Sequence, residues 1–347
     1  MAKRWYPHLE ADIYHREGVA KSRKLITDID VIALYPSPFG GLTPVLGDCK
    51  TLKSQSPIAR ALWMKGVMDL MGATQGIILL QRFIENDHKL AANQLSIALL
   101  SDSDFDIYST RTSDYKRVQS AIVQIDSWEK YFTLGTTFPA LAPAMAYLRA
   151  GFWNEKEGHV RLRHTLATIR TAKGEFNPKH GIQACLLGDL ISFFAIAFNE
   201  IVCSIFHQYL LPSTKTELAQ ELKVLIWGGS ENYAYLNQLW NKVPHQDNSG
   251  ESDLTLPEWD LFLELVRNCL EHPFSTALVP LLLKEIAFEH ILDDQLLQSV
   301  TLAKELARED PYAAKYALLV SEYVCKTTKV PTEFREMIDR KLMDIQP

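Results

Sequence analysis

Asp48 and Lys50, separated only by Cys49 near the end of an apolar run, are the residues of this chain best suited to chemistry, and Asp30 precedes Asp48 by 18 positions. On a β-strand alternate side chains share a face, so Asp48 and Lys50 are expected to point one way and Cys49 the other, into core packing. A second apolar run, Ile26 to Leu34, carries Asp30 toward the same edge if the two strands pair. Two carboxylates and one ammonium around a point suit a divalent cation and a phosphate, because hard oxygen ligands match Mg²⁺ and a compact positive charge steadies the anion. Asp28 reads as a solvated strand residue rather than a third ligand. A plain ion pair at a strand end is the competing reading of Asp48 and Lys50, and it would contribute little energy.

The surrounding sequence predicts the elements that would hold these groups. From Ala11 to about Ser109, short β-branched runs alternate with helical stretches, the pattern of an α/β unit. The strand Ile26 to Leu34 is followed by Tyr35-Pro36-Ser37-Pro38-Phe39-Gly40-Gly41, whose prolines and glycines break regular structure. After the strand Thr43 to Cys49, Ser56-Pro57 predicts a helix N-cap with proline in the first turn, and Gly72 predicts its end. Gln75 to Leu80 is expected as a strand buried on both faces, as parallel strands commonly are. A short helix over 88–95 and a strand over 96–100 complete the unit, closed by acidic Ser101-Asp102-Ser103-Asp104.

Beyond about residue 115 the period becomes helical. Helices are predicted near 117–131, 140–150, 158–173, 182–211, 216–226, 258–271, 276–290, 293–308, 311–327 and 331–344. The expected organisation is an α/β domain over 1–115 and an all-α domain over 116–347, with a mobile loop over 244–257. The 182–198 stretch is the most apolar, but Asp189 interrupts it, which predicts a buried helix and no membrane span.

The chain has 347 residues, 47% of them hydrophobic, and a formal net charge of −6, which argues against a surface coated along its whole length by nucleic acid. Residues 1–65 nevertheless carry a net +4, leaving −10 for the remainder. The cysteines (Cys49, Cys185, Cys203, Cys269, Cys325) are odd in number and widely spaced. They suggest reduced thiols in a cytoplasmic protein, with no CxxC pair to suggest zinc. The first residues lack the apolar run of a signal peptide.

Thr27-Asp28-Ile29-Asp30-Val31-Ile32, Gly47-Asp48-Cys49-Lys50, the helix after them and Gln75 to Leu80 together resemble the PD-(D/E)xK nuclease superfamily, in its Mrr-like, restriction-endonuclease-like branch. The resemblance covers residues 10–110. It implies a central mixed sheet flanked by helices and a Mg²⁺-dependent endonuclease activity (Mn²⁺ as substitute) on DNA, with RNA left open, serving defence against foreign DNA or equally repair or recombination. By the same resemblance Asp30 and Asp48 would ligate the metal and Lys50 would orient or activate water and stabilise charge on the phosphate. Members place a Glu on a helix ahead of the first strand. Here few residues precede that strand, so Glu10 is the positional candidate for a further catalytic and metal-ligating acid, and Glu17 the second.

Lys53 and Arg60 near the triad, and Arg161, Arg163 and Arg170 in the helical half, are the candidate nucleic-acid contacts, since phosphate contacts position a substrate without reading its sequence. A solvated helix face is the competing reading of the last three. The helical half is expected to bind substrate or a protein partner, and a homo-oligomer would suit a nuclease that cuts two strands. The alternative is a catalytically decayed nuclease fold serving as a nucleic-acid-binding or assembly subunit.

Overall fold

The computed structural model describes residues 4–14, 24–50, 56–112, 119–210, 212, 214–242, 253–292 and 301–345. Glu17, Lys53 and most of the predicted loop over 244–257 lie outside the described residues. Five strands, β1 (Tyr6–Tyr14), β2 (Leu25–Pro36), β3 (Leu42–Lys50), β4 (Gln75–Leu80) and β5 (Ile97–Ser101), form one sheet in the order β1-β2-β3-β4-β5. The first three pair antiparallel, and β3–β4 and β4–β5 pair parallel. The sheet is therefore mixed, as expected. Parallel neighbours need a crossover, supplied by α1 (Pro57–Met71) between β3 and β4 and by α2 (Asn86–Gln94) between β4 and β5.

Helix α1 begins as its sequence dictates. The Ser56 side chain accepts from the Ala59 N–H, Pro57 takes the first position, and Gly72 ends the helix at φ 68°. Its Met64 and Met68 lie against the sheet so closely that a Cβ on Gly76 would stand 3.0 Å from both. Burial on β4 alternates, with Gly76, Ile78 and Leu80 inside and Ile77 and Leu79 half-buried. The expectation of a strand covered on both faces is thus corrected: α1 fills one side only. Cys49 is exposed rather than packed in the core, for the same reason.

Beyond Ser101, the expected close of the unit, the chain continues into α3 (Asp102–Thr112). Ser101 and Asp104 form a reciprocal cap, the Asp104 N–H donating to the Ser101 hydroxyl and the Ser101 N–H donating to the Asp104 carboxylate.

The remainder is helical: α4 (Ile125–Phe132), α5 (Gly158–Ala172), α6 (Gly181–Tyr209), α7 (Lys215–Ile226), α8 (Ser230–Lys242), α9 (Trp259–Cys269), α10 (Val279–Glu289), α11 (Leu302–Glu309), α12 (Pro311–Thr328) and α13 (Thr332–Ile345). The helix predicted over 140–150 is present: residues 139–154 run without a break as a 3₁₀ turn (Pro139–Leu141), an α-helical stretch (Ala142–Ala146), a π-helical turn (Tyr147–Gly151) and a last α-helical turn (Phe152–Asn154), with Pro139 and Pro143 each in the first turn of its segment, where no N–H is needed. Helix α6 is long and apolar enough to cross a membrane, yet 89% of its apolar window is buried inside the protein. Its Asp189 explains why: the carboxylate accepts from Lys284 Nζ of α10 at 2.8 Å and from the Tyr131 hydroxyl at 2.7 Å, with all of these groups enclosed. Strand β1 joins the same core, through the Tyr6 hydroxyl 3.3 Å from Asp189 and the His8 ring against Trp153 and Phe193.

Candidate functional site

The β2–β3 ladder brings the predicted triad together. Its last pairs step from Leu34↔Pro44 to Val31↔Gly47, so the next step sets Asp30 opposite Asp48. At that step the backbone ladder gives way to side chains: the Cys49 N–H donates to Asp30 Oδ2 at 2.6 Å, so an aspartate caps the place where two strands end their pairing. Lys50, two residues past Asp48, turns its ammonium to both acids, 3.3 Å from Asp30 Oδ1 and 3.2 Å from Asp48 Oδ1. Burial works against the Lys50 charge, but Asp48 and Asp30 outweigh it and lift its pKa above the usual lysine value. The ammonium is therefore a fixed positive charge.

A fourth member comes from α1. Arg60, expected as a nucleic-acid contact, instead donates through Nε to Asp48 Oδ2 at 2.7 Å and through Nη2 to Asp48 Oδ1 at 2.5 Å. This fork-to-fork geometry is the strong form of an arginine–carboxylate pair. The guanidinium also lies 3.4 Å from the centre of the Trp63 ring, one helical turn on. The Asp48 side chain is fully buried, Arg60 is 13% exposed, and Asp30 and Lys50 are 28% and 23% exposed. Two acids and two bases leave the tetrad neutral, with Asp48 at its floor and Asp30 and Lys50 at its mouth. The neighbouring parallel strand closes one side, the Gln81 N–H donating to the Lys50 carbonyl at 3.3 Å.

Glu10 stands beside this group without joining it. The pairs Leu9↔Val31 and Ala11↔Ile29 bracket it, which sets Glu10 opposite Asp30 and makes a row of three acids across β1, β2 and β3. Its backbone is left-handed, at φ 56°, and burial along β1 changes phase there, from Tyr6 and His8 to Ala11 and Ile13. The exposed carboxylate turns to Arg149 at 3.4 Å, and the same guanidinium holds Asp12 at 2.9 Å. The predicted role of Glu10 as a metal ligand is not met in this arrangement.

Among the described residues no group of three or more His, Cys, Asp or Glu side chains could hold a metal ion. The pair Asp30 and Asp48 nevertheless fits Mg²⁺, which is commonly held through one or two carboxylates with the rest of its shell water and phosphate. A carboxylate has about four acceptor directions. Asp48 commits three, to Arg60 twice and Lys50 once, and Asp30 commits three, to Cys49 once and Lys50 twice. By that count each keeps one, but Asp48 is fully buried, so an ion would reach it only as the longer Lys50 contacts yield, whereas Asp30 stands at the mouth.

Two of the three arginines expected to contact nucleic acid in the helical half are engaged within the protein. Arg161 is spent on Glu200, at 2.6 and 2.7 Å, and lines a cavity of about 490 Å³ between Leu34, Pro44, Gly72, Trp153 and Glu200, at the far end of α1 from the tetrad. Arg163 lies half-buried over the Trp227 ring at 4.5 Å, and burial lowers its pKa. Arg170 is exposed on α5. Of the five expected nucleic-acid contacts, Arg60, Arg161 and Arg163 are thus engaged within the protein and Lys53 lies outside the described residues. No family model, curated protein or solved structure matches the chain.

Proposed function

We propose that this protein is a metal-dependent phosphodiesterase acting on DNA, with Asp30, Asp48 and Lys50 as its reacting groups. The observation that carries the reading is the convergence of two acids from neighbouring antiparallel strands on one lysine at the mouth of a strand edge. Asp30 at the mouth and Asp48 behind it would hold Mg²⁺, the longer Lys50 contacts yielding to the ion. Bound there, the ion would neutralise charge on the phosphate and acidify a coordinated water. Lys50, held charged by its two acids, acts as an electrostatic stabiliser beside a phosphate oxygen and not as a proton acceptor. Asp48, buried and forked onto Arg60, cannot swing, so the geometry is set before substrate arrives.

The neutral balance of the tetrad favours a second reading, in which the fold has lost cutting and serves binding or assembly, the four charges being an internal ion-pair network. The two readings part in one experiment. The purified protein, Asp30→Asn and Lys50→Met are incubated with supercoiled plasmid and single-stranded DNA, with Mg²⁺, with Mn²⁺ and with chelator. These substitutions leave Asp48 on Arg60, whereas replacing Asp48 would strand a buried arginine. The nuclease reading expects metal-dependent nicking by the wild type and none by either variant. A wild type that neither nicks DNA nor binds Mn²⁺ gives the ground to the assembly reading.

A further inference from the structure

Arg60 sits where helix physics disfavours it. It lies one turn into α1, whose first turn holds no acidic residue, and a cation at a helix N-terminus opposes the macrodipole. The contacts that offset this are specific. Both oxygens of a fully buried aspartate receive its fork, and the Trp63 ring at 3.4 Å fixes the plane of the guanidinium. An unclamped aspartate can rotate about its own bonds. Asp48 cannot, and the direction of its two oxygens is fixed relative to Asp30 and Lys50.

The clamp also has an electrostatic consequence. With Lys50 present, Arg60 cancels the second of two negative charges, so an incoming cation meets a neutral site instead of an anionic one. We infer that Arg60 is a positioning residue for Asp48 that gives up affinity for the divalent cation in return for a fixed coordination direction. The inference rests on the metal-dependent reading above and goes beyond it, since it gives the two effects of one side chain opposite signs.

The test measures binding and turnover separately, in the wild type, Arg60→Gln and Arg60→Lys, after thermal unfolding confirms that each variant is folded. Mn²⁺ binding is read by calorimetry or electron paramagnetic resonance on the protein alone, and cleavage of plasmid by initial rates at saturating metal. Arg60→Gln removes the charge and the fork, so Mn²⁺ binds at least threefold tighter while turnover falls at least tenfold. Arg60→Lys keeps the charge and loses the fork, so Mn²⁺ affinity stays within twofold of wild type while turnover still falls. Weaker or unchanged Mn²⁺ binding in folded Arg60→Gln overturns the inference, as does unchanged turnover in both variants; either result, with a wild type that binds metal and cuts DNA, leaves the nuclease reading standing. A wild type and an Arg60→Gln variant that both fail to bind Mn²⁺ remove the nuclease reading and the inference together.

Discussion

The molecule holds two lysine–aspartate clusters whose surroundings differ in almost every respect. Lys284 and Asp189 are both fully buried, and Tyr6, Tyr131 and Ser192 surround them with hydroxyls. The rings of Tyr6, Trp128, Phe193 and Phe288 lie within 5.6 Å of the Lys284 ammonium. Burial lowers the pKa of Lys284 despite Asp189, whereas Asp48 and Asp30 raise that of Lys50. The buried pair joins α6, α10 and β1 in the middle of the core; the tetrad sits where β2 and β3 stop pairing, with two of its four members open to solvent. Residue type therefore does not distinguish an ion pair enclosed in the core from one at the edge of the sheet. What distinguishes them is whether solvent reaches the pair, as it reaches Asp30 and Lys50 and does not reach Asp189 and Lys284.

The sharpest way to break this comparison is to remove each lysine and ask what is lost. Lys284→Met leaves Asp189 charged in a closed core, and the expected cost is about 3–5 kcal/mol of stability. Denaturant unfolding measures it, and the double variant Lys284→Met with Asp189→Leu recovers part of the loss by removing the stranded charge. A single variant within about 1 kcal/mol of wild type would show that water reaches the pair and that the two clusters are less unlike than their burial indicates.

Lys50→Met is expected to do the opposite. Its ammonium is partly solvated and Asp48 keeps Arg60, so stability should move by no more than about 1 kcal/mol. Cleavage should fall by about 10²–10³-fold, the usual effect of deleting one preorganised charge from a reacting site. Initial rates on plasmid, set beside the same variant's unfolding curve, check both halves. Loss of stability with unchanged cleavage would place Lys50 with the structural pair.

A third measurement tests the buried side by pH. Glu285 on α10 accepts from the Ser120 hydroxyl and from the Ala121 and Ile122 N–H groups, tying the turn before α4 to the core. Burial outweighs these donors and pushes its carboxyl from an ordinary 4.5 up to about 7. Between those values the native state keeps a proton that the unfolded chain has released. Stability from this group is therefore present in full below pH 4.5, falls as pH rises toward 7 and is level beyond, by on the order of 3 kcal/mol in all. Unfolding curves across that window measure it, and Glu285→Gln should flatten the fall. A slope unchanged by the substitution would assign the pH response elsewhere.

How much of this was readable in advance depends on how far each contact reaches along the chain. Strand alternation sufficed to aim Asp48 and Lys50 together and to bring Asp30 beside them, because a ladder is regular. The start and end of α1 were written in Ser56, Pro57 and Gly72. Asp189 was readable as a mark of burial, though not its partner Lys284, 95 residues on. Arg60 was misread because its direction depends on how α1 rotates over β3 and β4, which the Met64 and Met68 contacts with Gly76 decide. Helix α3 was missed although Ser101-x-x-Asp104 is a capping signature, and α8 was missed because its polar residues dilute the apolar period. Glu10 is the instructive case between these. Its place beside Asp30 follows from ladder register, but its direction is set by Arg149, which arrives from the helical half.

That contact frames the smallest effect and the finest test of the comparison. Arg149 is about half-exposed and shared between Glu10 and Asp12, so Arg149→Ala should cost under about 1 kcal/mol. Glu10, turned away from the tetrad, should tolerate Glu10→Gln with cleavage within about threefold of wild type, a barrier change of under about 1 kcal/mol. Freed from Arg149, however, Glu10 is one strand step from Asp30, close enough by register to add a third carboxylate. Mn²⁺ affinity in Arg149→Ala therefore decides whether the row of three acids acts as a row. Unchanged affinity keeps the site to Asp30 and Asp48. Tighter binding that Glu10→Gln reverses in the double variant would add Glu10 to the reactive side, with Arg149 as the group that holds it off.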